Sequence, residues 1–268
     1  MLFLQARFQP NRATTTEQEK TVKETRPWLI EGIIGARDIV LLSGRIDAAK
    51  TTVAAGWAMA VATGTSWRGY SVTRGSVLYL ARSIEAGKME LESAACLYAA
   101  AAASRLDEIP ITVVRSNELY LLPRSSNSRC SKEDFFDVME WHRRKHASPS
   151  LVVIDTVPDY FHGDLFEPDE VKKVISVVDA VSKAYNCAVV LVFDMEPGDE
   201  QVKEILVRLA KAADVHYVYR VPQSRQAASP DEVLHGTLTK VVSKNQTASK
   251  RFRADFTLPK RKKSKARV

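Results

Sequence analysis

The sequence predicts an α/β protein whose central sheet is mostly parallel and is flanked by helices. Three observations support this fold class. Up to about residue 212, short apolar strands alternate with helix-like segments, and the strands are apolar on consecutive residues. A turn of small residues joins the first long strand, residues 39–42, to an alanine-rich helix. After residue 212 the pattern changes to alternating strands, which predicts an antiparallel C-terminal extension of the sheet.

Composition divides the chain into three parts. Residues 1–26 are polar without periodicity and predict a flexible N-terminal arm. A chain of 268 residues with 45% hydrophobic content can bury one large α/β core or two small ones, and we expect residues 27–258 to form one folded domain. Residues 259–268 are rich in Lys and Arg and predict a basic tail.

Each element is predicted from its local pattern. The helix at 50–63 is rich in alanine, which allows close packing on a sheet, and Gly64 ends it. The helix at 169–184 is amphipathic. The other predicted helices are 85–103, 131–144 and 199–212, and the predicted strands are 39–42, 76–81, 111–114, 151–155, 189–194, 215–221, 234–242 and 251–258.

The turn at residues 43–52 has the layout of a phosphate-binding loop. In the motif G-x-x-x-x-G-K-[ST], backbone N–H groups curl around a polyphosphate, the Lys neutralises the outer phosphates and the hydroxyl holds Mg²⁺. Gly44, Lys50 and Thr51 fit the motif, but Ala49 replaces the second glycine. A plain helix N-terminus could give the same short match; the flanking strand and helix favour a loop for ATP and Mg²⁺. The candidate nucleotide-binding residues are Gly44, Arg45, Ala48, Ala49, Lys50, Thr51 and Thr52.

Two later strands end on an acid. Four apolar residues precede Asp155, as expected for a buried strand whose terminal carboxylate holds the hydration shell of Mg²⁺. Asp155 is therefore a candidate catalytic residue, and with Thr51 a candidate metal ligand. Asp194 follows a similar strand and is a second candidate. Asp194 and Glu196 could form another metal site, but we favour a solvated strand end.

Several segments together resemble the RepA-type branch of the RecA-like ATPases, which includes hexameric plasmid replicative helicases. The resemblance covers roughly residues 27–258 and depends on the order of the motifs. It implies a RecA-like P-loop NTPase fold, ATP and Mg²⁺ bound between subunits of a homo- or hetero-oligomer, and single-stranded DNA as a partner. The matching segments are residues 28–32, 43–52, 62–69, 75–80, 151–156 and 239–245.

The chain departs from the pattern of this family at three places. Asp47 and Ala49 replace two loop glycines. Ser83 stands where the family usually has a catalytic Glu, and the candidate catalytic acid Glu85 lies two residues later. The family usually has a γ-phosphate sensor where this chain has Asp194. These changes predict weak ATP binding with impaired or lost hydrolysis. The alternatives are an active helicase-like motor and, more distantly, a small-molecule kinase.

The positive charge is concentrated near the C-terminus. The chain carries +7, while residues 240–268 carry eleven Lys/Arg and one acid, so the remaining 239 residues carry −3. This segment predicts contact with single-stranded DNA or another nucleic acid; a solubilising tail is the alternative. Lys240 and Lys244 could instead reach a neighbouring subunit's γ-phosphate, as the resemblance implies, or lie on a solvated strand face. The candidate nucleic-acid-binding residues are Lys240, Lys244, Lys260, Arg261, Lys262 and Lys263.

The remaining composition excludes several classes of protein. Three widely spaced cysteines predict neither a disulfide framework nor a zinc site. No apolar run of 18 residues or more occurs, and the N-terminal apolar run is too short for a signal peptide. We therefore expect a cytoplasmic protein without a membrane partner. We interpret the five histidines as structural or surface residues, and Trp28 and Trp67 as packing residues.

Overall fold

The secondary structure follows the predicted order closely. The protein is described by a computed structural model over residues 27–46, 50–98, 106–115, 132–161, 164–195, 200–220, 234–243 and 253–258. The strands are β1 Trp28–Ile30, β2 Ile34–Gly35, β3 Ile39–Arg45, β4 Ser76–Ala81, β5 Ile111–Arg115, β6 Pro149–Asp155, β7 Ala188–Met195, β8 Val215–Arg220, β9 Leu234–Ser243 and β10 Arg253–Leu258. The helices are α1 Lys50–Thr63, α2 Ile84–Tyr98, α3 Lys132–His146, α4 Pro168–Tyr185 and α5 Glu200–Ala212.

Eight strands form one sheet in the order β10-β9-β8-β3-β7-β6-β4-β5. The six strands from β8 to β5 are parallel to one another. At the other edge, β9 pairs antiparallel with both β8 and β10. The mostly parallel sheet and its antiparallel C-terminal extension are therefore confirmed.

Both faces of the sheet are covered, which explains why its strands are apolar on consecutive residues. Along β3, Val40 and Leu42 belong to the core that includes α1 and α2. The alternate residues Ile39 and Leu41 belong to a second core with α3, α4 and α5. Because successive side chains of a strand point to opposite faces, helices on both sides require an apolar residue at every position.

Helix α1 connects the candidate loop to the first core. It begins at Lys50 and its residues from Val53 to Ala62 are buried, as the alanine-rich pattern predicts. Gly64 follows the helix with φ of +74°, a left-handed conformation that favours glycine, and its N–H donates to the Ala60 carbonyl at 2.8 Å. The predicted helix at 85–103 is described as α2 only as far as Tyr98.

A small aromatic cluster closes the sheet on the α1 side. Trp67 is fully buried, and its ring lies edge-on to Trp57 with 5.9 Å between centroids. The Trp57 ring in turn lies 5.8 Å from that of Tyr217 on β8. The packing role predicted for Trp67 is confirmed, whereas Trp28 is partly exposed.

The strand pairing brings the carboxyl ends of β3, β7 and β6 to one edge of the sheet. Strand β7 lies between β3 and β6, and Gly44 of β3 is in register with Asp194 of β7. Asp155 ends β6 and is in register with Ala81, the last residue of β4. The carboxyl ends of parallel strands therefore surround the start of α1, which is the usual position of a ligand site in an open α/β sheet.

The predicted arm and the predicted tail both lie outside the described residues, so the proposed division of the chain stays a prediction. Within the described part, Cys187 is buried and free. In the same ranges, every helix falls short of the length or the apolar character that crossing a bilayer requires.

Packing at the start of β4 generates a test of the fold. A Cβ added to Gly75 would lie 2.1 Å from Oγ and 2.4 Å from Cβ of Ser150, so Gly75→Ala should lower the free energy of unfolding by about 1–3 kcal/mol. Adding Ser150→Gly to this variant should recover part of the loss, which a double-mutant cycle in urea would measure. Full stability of Gly75→Ala would show that the two strands are not packed this closely.

Candidate nucleotide-binding site

Lys50 is a buried cation at the first position of α1. Only 3% of its side chain is exposed. Its ammonium lies 2.6 Å from Oδ1 of Asp194 and donates to the Arg45 carbonyl at 2.5 Å. A buried charge is stable only when it is paired and hydrogen-bonded, and these two contacts meet that need. The lysine that the sequence predicts to bind phosphate therefore already has its partners within the protein itself.

Thr51 and Asp155 come together beside Lys50. The Thr51 hydroxyl donates to Oδ1 of Asp155 at 3.2 Å, although 104 residues separate them in sequence. The Tyr79 hydroxyl donates to the other carboxylate oxygen at 2.7 Å and is itself buried. Thr51 at the start of α1 and Asp155 at the end of β6 thus lie at the same end of the sheet.

Burial governs the electrostatics of this pair. It raises the pKa of Asp155 to about 6, and the nearby Asp194 charge adds to the rise. Hydrogen bonds from Tyr79 and Thr51, and the charge of Lys50, oppose it. The pKa of Tyr79 is raised well above its usual value by burial and by the Asp155 carboxylate. At neutral pH, Tyr79 is thus a neutral donor to a largely ionised Asp155.

The arrangement fits Mg²⁺ at Thr51 and Asp155. A hydroxyl and a carboxylate oxygen at hydrogen-bond distance are the hard ligands that Mg²⁺ takes, usually with water completing its shell. The predicted loop residues Ala48 and Ala49, together with Asp47, lie outside the described residues. Lys50 is at the expected position, but its ammonium already has an anionic partner.

Gly44 is required by the sheet itself. A Cβ at this position would lie 2.5 Å from the Tyr219 carbonyl oxygen of the neighbouring strand β8. The glycine that matches the phosphate-loop motif thus also permits close strand pairing. Arg45, the last residue of β3, is exposed and contributes its carbonyl group to Lys50.

Ser83 serves as a helix cap. Its hydroxyl accepts a hydrogen bond from the Ala86 N–H at 3.0 Å, in the first turn of α2. Glu85 is exposed in the same turn, and no hydrogen bond or ion pair joins it to Lys50, Thr51 or Asp155 in the described part of the chain. Its catalytic role stays a prediction.

The sequence did not show which contacts two carboxylates near the site make. Asp194 was interpreted as a solvated strand end, but its side chain is only 37% exposed and its carboxylate pairs with Lys50. Glu90 of α2 is buried, and the Thr52 hydroxyl donates to it at 3.5 Å. Helical periodicity places Glu90 on the buried face but does not show that this face meets the start of α1. No group of three metal-binding side chains occurs among the residues described.

The position of Lys240 corrects its assignment as a nucleic-acid contact. Lys240 is buried on β9, beside Tyr217 of β8. Burial lowers the pKa of its ammonium, while the charge of Asp38 opposes the change. Asp38 directly precedes β3, at the opposite end of that strand from Gly44. Lys240 is therefore a core cation, and the predicted contacts through Lys244 and residues 260–263 lie outside the described residues.

Comparisons with known proteins give the fold a family context. A family model described as an AAA domain matches residues 5–194, beginning within the predicted arm. The crystal structure of the KaiC-like protein PH0186 from Pyrococcus horikoshii OT3 is similar over 85% of this chain and 88% of that chain, with a TM-score of 0.50 and 14% identity. That of the flagellar accessory protein FlaH from Methanocaldococcus jannaschii covers 77% of this chain and 79% of its own, with a TM-score of 0.49 and 9% identity.

No curated protein sequence matches the chain. At 14% identity the likeness to the KaiC-like protein shows the fold alone, and it confirms the RecA-like fold that the sequence predicts. The RepA-type branch named in the resemblance stays a prediction.

The raised pKa of Asp155 generates a test by pH. Its folded value of about 6 exceeds the ordinary 3.8, so the protonated carboxyl stabilises the fold below about pH 4, and this contribution is lost as the pH rises through 6. Because asparagine does not titrate, the stability of Asp155→Asn relative to the unaltered protein should increase from pH 4 to pH 7, by roughly 2 kcal/mol. Urea unfolding across this range measures the difference, and Asp179→Asn controls for losing one carboxylate; a flat difference would contradict the assigned pKa.

Proposed function

The chain belongs to the AAA_25 family of AAA domains, and on this basis we propose that it is a RecA-like P-loop protein that binds ATP and Mg²⁺ weakly, with impaired or lost hydrolysis. The contact that carries the proposal is the hydrogen bond from Thr51 to Asp155 beside Lys50. It joins a helix N-terminus, a hydroxyl and a strand-end carboxylate, which are the parts that a nucleotide with its metal ion requires.

The binding residues have distinct roles in this proposal. Thr51 and Asp155 would hold Mg²⁺, which supplies positive charge against the phosphates. Tyr79 holds the second Asp155 oxygen and so fixes the direction of the carboxylate. Lys50 supplies a second positive charge from the start of α1.

Binding is expected to be weak because the charge of Lys50 already has an anionic partner. Its ammonium already contacts the Asp194 carboxylate and the Arg45 carbonyl. When a phosphate replaces Asp194 beside Lys50, the binding free energy contains only the difference between the phosphate–Lys50 and Asp194–Lys50 interactions. The two acids add unfavourable charge: with Asp155 and Asp194 ionised, their side chains and that of Lys50 sum to −1.

Hydrolysis is expected to be slow because Ser83 occupies the usual position of the catalytic glutamate in the family that the sequence resembles. Its hydroxyl already accepts the Ala86 N–H, and serine has no carboxylate to orient water. Losing such a group typically lowers the rate by about a hundredfold or more.

We further propose that the protein is cytoplasmic, assembles into oligomers and associates with nucleic acid. The support for nucleic-acid binding is the charge asymmetry: residues 260–268 contain six Lys/Arg and no acid, whereas residues 1–239 carry a net charge of −3. This contact would not depend on ATP.

Substitution of Ser83 tests the hydrolysis defect. The unaltered protein should turn over ATP at a rate near background. Ser83→Glu, which supplies a carboxylate at the end of β4, should raise the rate at least about tenfold, while Ser83→Ala removes only the helix cap and should not. Phosphate release at saturating ATP is the measurement. Ready turnover by the unaltered protein that is lost in Lys50→Ala would instead establish the helicase-like motor.

Truncation tests whether the basic C-terminal tail binds nucleic acid. If about four of its six basic residues engage single-stranded DNA, the logarithm of the affinity should fall with the logarithm of the salt concentration with a slope of roughly −3. Removal of residues 260–268 should weaken binding at low salt and flatten this slope, as fluorescence anisotropy would show. Equal binding by both forms would exclude the tail as the contact and leave it a solubilising segment.

A further inference from the structure

Asp194 occupies a particular place in the site. It lies at the carboxyl end of β7, between the strand that leads into the candidate loop and the strand that ends on Asp155. Its carboxylate is 2.6 Å from the Lys50 ammonium. The Lys50 side chain carries the charge that a phosphate loop directs toward the outer phosphates. A carboxylate at this distance therefore stands where the ammonium would otherwise meet a phosphate oxygen.

Lys50 and Asp194 differ in how readily each side chain can turn toward solvent. Lys50 is 3% exposed and is also tied to the Arg45 carbonyl, whereas Asp194 is 37% exposed. If the pair opens, the carboxylate can turn toward water while the ammonium stays buried. A phosphate oxygen can use the third N–H donor of the ammonium, but it must then share the charge of Lys50 with the Asp194 carboxylate or displace that carboxylate.

This competition does not affect all phosphates equally. In a phosphate loop, backbone N–H groups cradle the α- and β-phosphates, and the lysine reaches the β- and γ-phosphates. In such a loop the inner phosphates therefore depend less on the lysine than the γ-phosphate does. The γ-phosphate depends on it more heavily and adds negative charge close to Asp194 and Asp155, so the carboxylate of Asp194 penalises the third phosphate most.

We propose that Asp194 is a specificity-determining residue that makes this site prefer a nucleoside diphosphate to a nucleoside triphosphate. The inference rests on the proposed function, since it requires that the site bind nucleotide. It assigns to Asp194 a role in discriminating between ligands, in addition to its structural role of neutralising Lys50.

The test compares the affinities for ADP and for a non-hydrolysable ATP analogue, both with Mg²⁺, by calorimetry. The unaltered protein should bind ADP more tightly. Asp194→Asn keeps an oxygen acceptor for Lys50 but removes the charge; it should tighten binding of the ATP analogue about tenfold, or about 1.4 kcal/mol, and that of ADP no more than about threefold. Asp179→Asn breaks an ion pair of the same 2.6 Å length on the surface of α4 and should change neither affinity.

The outcomes separate the inference from the proposed function. Equal tightening of both ligands in Asp194→Asn, or tighter binding of the ATP analogue than of ADP by the unaltered protein, would overturn the specificity inference alone. Absence of binding by either ligand to both proteins would overturn the proposed function and the inference with it. If Asp194→Asn does not fold, the ADP preference of the unaltered protein and the same comparison in Asp194→Ser decide the question.

Discussion

The candidate site depends on how one buried positive charge is satisfied. Lys50 begins α1 and has almost no contact with solvent, so the protein must supply its partners. Asp194 supplies the anion and Arg45 a carbonyl oxygen. Asp194 can do so because β7 lies directly beside β3 and is paired with it in register. The ionic contact is thus a product of the strand order.

The same strand order accounts for the rest of the site. Strand β7 separates β3 from β6, and the carboxyl ends of all three meet at one edge. Asp155 therefore lies next to the start of α1 and accepts a hydrogen bond from the Thr51 hydroxyl. The Tyr79 hydroxyl of β4 donates a hydrogen bond to its other carboxylate oxygen. Parallel strands connected by helices on both faces must return to the same edge, so this convergence follows from the fold class.

The fold could be predicted almost completely because each element has a local pattern with one physical cause. Strands covered on both faces are apolar on consecutive residues, and α1 is rich in alanine because it packs closely on the sheet. The site could be predicted in part. Lys50, Thr51 and Asp155 follow from motif spacing, but a motif does not show which partner a charged group has. Asp194 was therefore interpreted as solvated and Lys240 as exposed.

By itself, the sequence determined the parallel architecture, the helix that starts at Lys50 and the strand that ends at Asp155. Those properties depend on periodicity, residue type and spacing along the chain. Tertiary structure alone decided that Lys50 pairs with Asp194, that Ser83 caps α2 and that Lys240 is buried near Asp38. The physical reason is that the burial and pairing of a charge depend on which strands and helices become neighbours, and residues 50 and 194 meet only after the sheet has formed.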